Sequence, residues 1–296
     1  MRIFDCTTYY DEELIMDIRF NTLNDQVEKF IVVESLFSHS GNKKKLNFDI
    51  NNYSKFKDKI VYLVIEKEPD NIKFHYDDKI SSLDKRMNSL KRIEQSYDYM
   101  FNGLKDANED DLILLSDNDE IPNLKSDQFL KSKSKVFIFK QMMFYYKFNL
   151  YYEKLKWFGS KGCKKKNLKN MSWLRNLKNK KYPWWRFDTF FSKLKTRHLE
   201  IIDDGGWHFT NIKSPEALLE KLKNFGHHDE FDESGIDVEF IKSKIKNKEV
   251  FYDHFADKTS SEKWKASYKL KKIDNALLPK YLKNNTEKFQ DWLDNQ

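Results

Sequence analysis

The feature that most constrains this chain is a short apolar run enclosed by charged residues. The run Leu112-Ile113-Leu114-Leu115 follows two aspartates and leads into Ser116-Asp117-Asn118-Asp119-Glu120. A continuous apolar run of this length predicts a strand that is buried on both faces, as strands of parallel sheets are. In open α/β sheets, ligands bind beyond the carboxyl ends of the strands, and the carboxylates fall at that end.

The two aspartates of this turn, Asp117 and Asp119, have two interpretations. Because they are two positions apart, they would share one face of a continuing strand, or converge on one cation in a tight turn. Carboxylate oxygens suit magnesium or manganese, which can also bridge the oxygens of a diphosphate. Alternatively, the acidic turn simply ends the strand. The turn taken alone leaves both interpretations open.

The rest of the chain alternates predicted strands and helices. We predict strands over 3–6, 29–35, 59–65 and 135–140, and amphipathic helices over 14–23 and 83–104. This alternation predicts an α/β fold in which helices flank a mostly parallel central sheet. We expect one catalytic domain over residues 1–235 and a helical C-terminal extension over residues 236–296, packed on that domain.

Composition narrows the class of protein. Hydrophobic residues make up 39% and charged residues 34% of the chain, which is typical of a globular rather than a disordered protein. The net charge of +7 comes from 54 basic and 47 acidic residues spread along the chain, so we predict no nucleic-acid partner. Cys6 and Cys163 lack disulfide-framework or metal-site spacing and are predicted to be free thiols in a reducing compartment.

The sequence contains no pattern of a leader peptide or a membrane span. The start of the chain leads directly into a predicted strand. A membrane helix needs about 20 consecutive apolar residues, and no window approaches that length. We therefore expect a cytoplasmic protein without a transmembrane segment, and a peripheral membrane contact stays open.

Several further side chains lie near predicted strand ends and loops. Glu34 ends the second strand, Gly41 allows close backbone approach, and Lys43 beside it suits phosphate. Arg86 and Asn88 lie near the start of the long helix, where an arginine fork can clamp a diphosphate. Each has a plain structural alternative, which is a strand end for the glutamate and a solvated surface for the cations.

A second motif stands out at Gly205-Gly206-Trp207-His208-Phe209. The two glycines permit a sharp turn. On a following strand, Trp207 and Phe209 would point to one side and His208 to the other. The motif raises the question whether His208 reaches the same cation as Asp119.

Aromatic and basic residues are concentrated in the middle of the chain. Aromatic faces stack well on sugar rings, and the candidates for such a platform are Trp157, Trp173, Trp184 and Trp185. The stretch from Lys161 to Lys181 is basic and poor in apolar residues. We predict a surface excursion there that covers the site as a lid.

Taken in chain order, these motifs resemble glycosyltransferase family 17. The resemblance is carried by Phe4-Asp5-Cys6, by Phe30-Ile31-Val32-Val33-Glu34-Ser35, by Phe37-Ser38-His39-Ser40-Gly41, by Ser116 to Pro122 and by Gly206-Trp207-His208-Phe209. It runs from about Ile3 to Phe231. The family includes enzymes that add bisecting N-acetylglucosamine to N-glycans, so the resemblance implies a GT-A type, metal-dependent, inverting glycosyltransferase.

The resemblance also implies roles for individual residues. A manganese or magnesium ion would be held by Asp117, Asp119, His208 and His227. The donor, a UDP-sugar carrying N-acetylglucosamine or another hexose, would meet Glu34, Arg86, Asp117 and Asn118. The acceptor would be a hydroxyl of a glycan or glycolipid.

Inversion requires a carboxylate that deprotonates the acceptor hydroxyl. The candidates are Asp204, Asp203, Asp188 and Glu120, and the sequence does not choose among them. Two other classes of protein also fit the sequence. One is a non-catalytic protein that binds glycans or polyanions, and the other is a metal-dependent nucleotidyltransferase.

Overall fold

The fold is described from a computed structural model, in which residues 1–73, 81–224, 231, 234–255, 263–264 and 266–295 are described. The strands are β1 (Ile3–Tyr9), β2 (Lys29–Ser35), β3 (Ile60–Ile65), β4 (Leu112–Ser116), β5 (Glu120–Pro122), β6 (Val136–Tyr145), β7 (Leu150–Lys164), β8 (Leu199–Ile202), β9 (Gly206–Thr210), β10 (Glu249–Val250), β11 (Tyr268–Lys269) and β12 (Lys271–Lys272). The α-helices are α1 (Glu13–Leu23), α2 (Ser82–Tyr99), α3 (Asp127–Lys131), α4 (Met171–Asn176), α5 (Asp188–Phe191), α6 (Pro215–Asn224), α7 (Val238–Lys246) and α8 (Lys280–Asn284). Short 3-10 helices cover Ile50–Lys59, Met100–Gly103, Lys165–Asn167, Asn275–Leu277 and Gln290–Trp292.

One large sheet organises the molecule. Its strand order is β3-β2-β1-β4-β7-β6-β9-β5, with β8 beside β6 and β12 beside β7. Strands β3, β2, β1 and β4 pair in parallel, and β6 pairs in parallel with β8 and β9. Strand β7 runs antiparallel to β4 and β6, and β5 runs antiparallel to β9. The predicted α/β fold with a mostly parallel sheet flanked by helices is confirmed.

Strand β4 lies between two apolar cores. Leu112 and Leu114 belong to the core on the α1 side of the sheet, whereas Ile113 and Leu115 belong to the core on the α2 side. All four side chains are buried. Because both faces of the strand are covered, its sequence is continuously apolar instead of alternating.

A buried ion pair connects β1 to the acidic turn. The guanidinium of Arg19, on α1, donates to both carboxylate oxygens of Asp5 at 2.7 and 2.5 Å, and neither side chain is exposed. Another nitrogen of Arg19 donates to the backbone carbonyl of Glu120. A buried charge requires a paired and hydrogen-bonded partner, so this pair fixes the position of the turn after β4 relative to β1.

The first half of α2 differs from the prediction. Leu83, Met87 and Leu90, expected on the sheet, are 71%, 43% and 39% exposed. The buried side of this half carries Asn88 and Arg92 instead. It packs on the polar loops beyond β3, with Asn88 bonded to backbone and Arg92 bonded to a carboxylate, so the helix buries polar side chains there.

The predicted surface excursion over 161–181 is wrong at its start. Residues Lys161 to Lys164 form the end of β7, next to β4, and Lys161 is only 3% exposed. Its Nζ donates to the backbone carbonyls of Arg175 and Leu177, each at 2.7 Å. Because these carbonyls satisfy the amine, a lysine can lie in the sheet without an unpaired polar group.

The C-terminal extension is not wholly helical, in contrast to the prediction. It contains α7 and α8, but also the antiparallel pair β10 and β11, and β12, which adds to the main sheet along β7. Charged residues such as Lys271 and Lys272 suit a short edge strand, where only the backbone must pair. In the described ranges no helix combines the length and the apolar content that crossing a membrane requires.

Candidate active site

A cavity of about 450 Å³ lies where β1, β2 and β4 end. Its walls come from the loops after these strands, from α2 and α6, and from residues 251, 252, 254 and 264 near the C-terminus. The predicted site residues that line it are Arg86, Asp117, Asn118, Asp119 and His208. The cavity therefore lies at the carboxyl ends of the parallel strands, as expected for this class of sheet.

The two sequence motifs meet because β5 pairs with β9. In this antiparallel pair Glu120 lies opposite His208. Gly206 has φ +104°, and a Cβ on it would lie 2.3 Å from the carbonyl oxygen of Ile121. Only glycine fits this close approach. The pairing brings His208 beside Asp119, which precedes β5.

Asp119 and His208 form a buried pair in the cavity wall. His208 Nε2 lies 3.2 Å from Asp119 Oδ1, and Lys221 Nζ, on α6, lies 3.8 Å from Oδ2. Burial alone would raise the pKa of Asp119, but the charge and hydrogen bond of His208, together with the charge of Lys221 and a backbone hydrogen bond, outweigh burial and hold that pKa below its usual value. Burial alone would lower the pKa of His208, but the carboxylate of Asp119 raises it. Each side chain of the pair therefore favours the charged form of the other.

Asp117 is held by a different set of side chains. Arg175, on α4, donates from Nε to Oδ1 at 3.1 Å and from a terminal nitrogen to Oδ2 at 2.7 Å. Tyr97, on α2, donates its hydroxyl to Oδ1 at 2.5 Å. The carboxylate of Asp117 thus lines the cavity and is paired with the guanidinium of Arg175.

Glu120 lies behind the cavity wall rather than in it. The carboxylate is 2% exposed, Trp157 Nε1 donates to its Oε1 at 2.6 Å, and the backbone N–H of Asp117 donates to its Oε2 at 3.1 Å. Burial, reinforced by the charge of Asp117, raises the pKa of Glu120 to about 7. The Trp157 ring does line the cavity, 4.6 Å from the His208 ring. Glu120 therefore positions Trp157 and the acidic turn.

The donor types at the acidic turn suit a divalent cation. Asp117, Asp119 and His208 offer carboxylate oxygens and an imidazole to one cavity, the ligand types that manganese accepts. His208 Nδ1 is buried and has no hydrogen-bond partner among the side chains and backbone that the structure describes. In the same part of the chain, no three His, Cys, Asp or Glu side chains already converge as a metal-binding group. These side chains are of the types that bind the ion. To become a ligand, Asp117 would give up its hydrogen bonds with Arg175.

Glu34 is a fully satisfied buried carboxylate outside the cavity. It accepts hydrogen bonds from the backbone N–H groups of Asn47 and Phe48, from the Tyr62 hydroxyl at 2.8 Å, and from Lys44 Nζ. Lys44 lines the cavity, whereas Glu34 does not. Glu34 thus holds the loop that carries Lys44 at the cavity, whereas its own carboxylate does not line the cavity.

Three other predicted donor-binding residues also lie off the cavity wall. Gly41 has φ +100° and lies against the Arg92 guanidinium, where a Cβ would lie 2.5 Å from a nitrogen. Lys43 is exposed. Asn88 accepts from and donates to the backbone of Lys73 at 3.0 and 2.9 Å. These residues shape the loops around the cavity, since none is among its lining residues.

None of the four candidate bases lines the cavity, and the three besides Glu120 lie at the protein surface. Asp203 pairs with Lys140 at 2.8 Å, and Asp204 accepts from Asn123 at 2.8 Å, both at the surface. Asp188 pairs with two cations of its own surface segment. His227 lies outside the described residues.

Of the four tryptophans considered as a sugar platform, Trp157 lines the cavity. Trp173 donates its Nε1 to the Lys193 carbonyl at 2.8 Å. Trp184 and Trp185 are 74% and 59% exposed on the surface. Trp173 lies in α4 and the last two follow that helix, and none of these three lines the cavity.

Several cavity residues have no signal in the sequence. Tyr97, Arg175 and Lys221 reach the two aspartates from three different helices. His254, near the C-terminus, hydrogen-bonds the Tyr145 hydroxyl in the cavity wall. Each depends on contacts distant in the chain. No local pattern distinguishes these residues from ordinary helix or loop residues.

Comparison with known proteins matches the chain to one family. The sequence profile described as glycosyltransferase family 17 matches residues 1–295. No curated protein matches the sequence. Among solved structures, the inositol-1-phosphate CTP transferase from T. maritima is similar over 56% of this chain and 71% of its own, with 14% identity and a TM-score of 0.28. A likeness this low supports no conclusion about function.

Proposed function

Because the chain belongs to glycosyltransferase family 17, we propose that it transfers a hexose or N-acetylglucosamine from a nucleoside-diphosphate sugar, such as a UDP-sugar, to a glycan hydroxyl with inversion. The observation that carries this proposal is the meeting of the Asp117 and Asp119 turn with His208 in one cavity at the carboxyl end of the sheet. A site for this reaction must neutralise a leaving diphosphate and also offer a surface for sugars.

The diphosphate end of the proposed site is the side with the aspartates and cations. Arg175 lies against Asp117 and Lys221 near Asp119, and Arg86 lines the same cavity. Arginine forks suit phosphate oxygens because they donate two parallel hydrogen bonds. These cations would stabilise the charge that develops on the leaving group during displacement.

Manganese or magnesium is part of the proposal. Asp117, Asp119 and His208 would hold the ion, and when bound it would supply further positive charge to the leaving diphosphate. Arg175 would then turn from Asp117 toward the phosphates. The Arg19 contact with the Glu120 carbonyl keeps the turn in place during this exchange.

The acceptor end is the aromatic side of the cavity. The Trp157 ring lies 4.6 Å from His208 and 6.5 Å from His254, and Tyr252 lies 4.8 Å from His254. The C–H faces of a sugar ring stack on such aromatic faces. An acceptor sugar on Trp157 would hold its hydroxyl beside the site of Asp119 and His208.

Thermal unfolding in the presence of nucleotide-sugars tests donor binding. A ligand that binds the native state raises Tm, and the rise grows with the logarithm of the ratio of ligand concentration to Kd. We expect a UDP-sugar with manganese to raise Tm of the wild-type protein, and Asp119→Asn to lose this shift. Asp203→Asn, at an exposed aspartate outside the cavity, is the matched control and should keep it. If no nucleotide-sugar raises Tm, with or without the metal, the proposal fails.

A further inference from the structure

An exposed aromatic cluster projects from the surface beyond α4. Its members are Trp184, Trp185, Phe187, Phe190 and Phe191, which are 74%, 59%, 65%, 68% and 90% exposed. They fall within eight successive positions, and none of them lines the active-site cavity. Large apolar side chains clustered in water mark an interaction surface, because burying them is favourable.

The same segment carries most of the excess positive charge of the chain. Residues 178–198 include seven Lys or Arg residues and one acidic residue, Asp188, whereas the whole chain has a net charge of +7. Arg186 and Lys195 both pair with Asp188, at 2.8 and 2.6 Å. The cluster of rings is therefore surrounded by cations.

The segment is held in shape by its own contacts. At its base, the backbone N–H of Lys178 donates to the Leu194 carbonyl at 2.9 Å. Nearer the tip, Arg197 Nε donates to the buried Thr189 hydroxyl at 2.8 Å, and its guanidinium lies 4.1 Å from the Phe190 ring centroid. The rings are thus displayed by an ordered projection, and their exposure does not come from a missing core.

We propose that residues 178–198 are a membrane-docking surface for anionic phospholipid bilayers. Tryptophan favours the interfacial layer of a bilayer, where its apolar ring and its polar N–H are both satisfied, and phenylalanine inserts its ring at the same boundary. Lysine and arginine beside them meet the lipid phosphates. A nucleic-acid duplex or an acidic protein surface without apolar residues would use the cations but leave five rings in water, whereas the bilayer meets both the rings and the cations.

The docking surface is joined to the catalytic cavity through α4. Lys161 Nζ holds the carbonyls of Arg175 and Leu177, and Arg175 contacts Asp117 inside the cavity. The basic segment begins directly after this helix. If the proposed glycosyl transfer holds, docking brings the enzyme to the bilayer, and the acceptor class becomes a glycan carried by a lipid.

Vesicle binding by the full chain tests the docking surface without any sugar nucleotide. We expect the wild-type protein to cosediment with vesicles that contain phosphatidylglycerol, with a blue shift of tryptophan emission, and to bind pure phosphatidylcholine at least tenfold more weakly. The triple variant Trp184→Ser, Trp185→Ser, Phe191→Ser should lose at least tenfold in affinity for the anionic vesicles. Lys180→Glu with Lys193→Glu should lose a similar factor. Phe101→Ser with Leu130→Ser, at exposed apolar positions elsewhere, should bind as the wild type does.

Three results would overturn the proposal. They are no binding to anionic vesicles, equal binding by the triple variant, or binding that depends only on the two lysines, which would identify a polyanion site. A soluble acceptor separates the docking proposal from the glycosyl-transfer proposal. The triple variant should transfer sugar to a soluble acceptor at the wild-type rate. It should be slower than the wild type only with an acceptor anchored in vesicles. A protein that docks but transfers no sugar would refute the enzymatic proposal and leave the docking surface standing.

Discussion

Arg175 and Asp117 form a bidentate ion pair that links α4 to the acidic turn after β4. The two hydrogen bonds measure 3.1 and 2.7 Å and join residues 58 positions apart. Tyr97 holds the same carboxylate from α2. Three segments distant in sequence therefore fix the direction in which Asp117 faces the cavity.

Replacing Arg175 with lysine tests whether this fork serves the reaction. Lysine keeps the charge but cannot donate two parallel hydrogen bonds. We expect kcat/KM for the nucleotide-sugar to fall about tenfold, equivalent to ~1.4 kcal/mol of transition-state stabilisation. Arg2→Lys is the matched control, since Arg2 makes a similar fork with Asp111 at the other end of β4. It should lower the free energy of unfolding and leave kcat/KM unchanged.

Removing the metal or its proposed carboxylate tests the charge at the leaving group. Chelation with EDTA should abolish transfer, and added manganese should restore it. Asp119→Asn should lower kcat by about 100-fold, the usual effect of losing one preorganised charge or donor at a reacting centre. Asp204→Asn, at the surface, should keep the wild-type kcat. Full activity in EDTA would contradict the proposed metal site.

The variant Glu120→Gln tests whether Glu120 positions Trp157 or transfers a proton during the reaction. The amide oxygen of Glu120→Gln can still accept the Trp157 N–H, so the wall of the cavity should keep its shape. We expect at most about a tenfold loss in kcat, whereas loss of a general base would cost about 100-fold or more. Glu120→Ala should cost more than Glu120→Gln, because Trp157 then loses its acceptor. Steady-state rates of the two variants decide between the roles.

The buried amine of Lys161 predicts a pH dependence of stability. Burial, reinforced by the charge of Arg175, lowers the pKa of Lys161 to about 7 in the folded protein, against about 10.4 in the unfolded chain. Between these values the unfolded state binds one more proton, so the free energy of unfolding rises with pH by up to about 1.4 kcal/mol per unit. Urea unfolding at pH 7, 8 and 9 should show this rise in the wild type and a flatter profile in Lys161→Met. Parallel profiles would show that Lys161 stays charged.

Local patterns predicted the parts of the fold that depend on one segment. The run 112–115 predicted a strand buried on both faces, and strand β4 is one. The alternation in the second motif placed His208 on the opposite side from Trp207 and Phe209, and it faces the cavity while Phe209 lies in the core. That His208 contacts Asp119 depends on the register of β5 with β9, which no single segment encodes.

The predictions were wrong where a charged or aromatic residue has a distant partner. Lys161 lies in a basic stretch, which suggested an exposed loop, yet two backbone carbonyls from the end of α4 bury it in the sheet. Trp184 and Trp185 suggested a sugar platform, yet both are exposed at the surface and neither lines the cavity. Arg175 carries no signal at all, since its role depends on where α4 packs.

Sugar transfer itself is the most direct test of the proposed activity. The wild-type protein is incubated with a UDP-sugar, manganese and a panel of glycan and lipid-linked glycan acceptors, and the products are followed by mass spectrometry and NMR. We expect a glycoside whose anomeric configuration is opposite to that of the donor, released together with a nucleoside diphosphate, and formed about 100-fold more slowly by Asp119→Asn. A nucleotide conjugate of the acceptor, or no product with any donor and acceptor pair, would contradict the assignment of this cavity to glycosyl transfer.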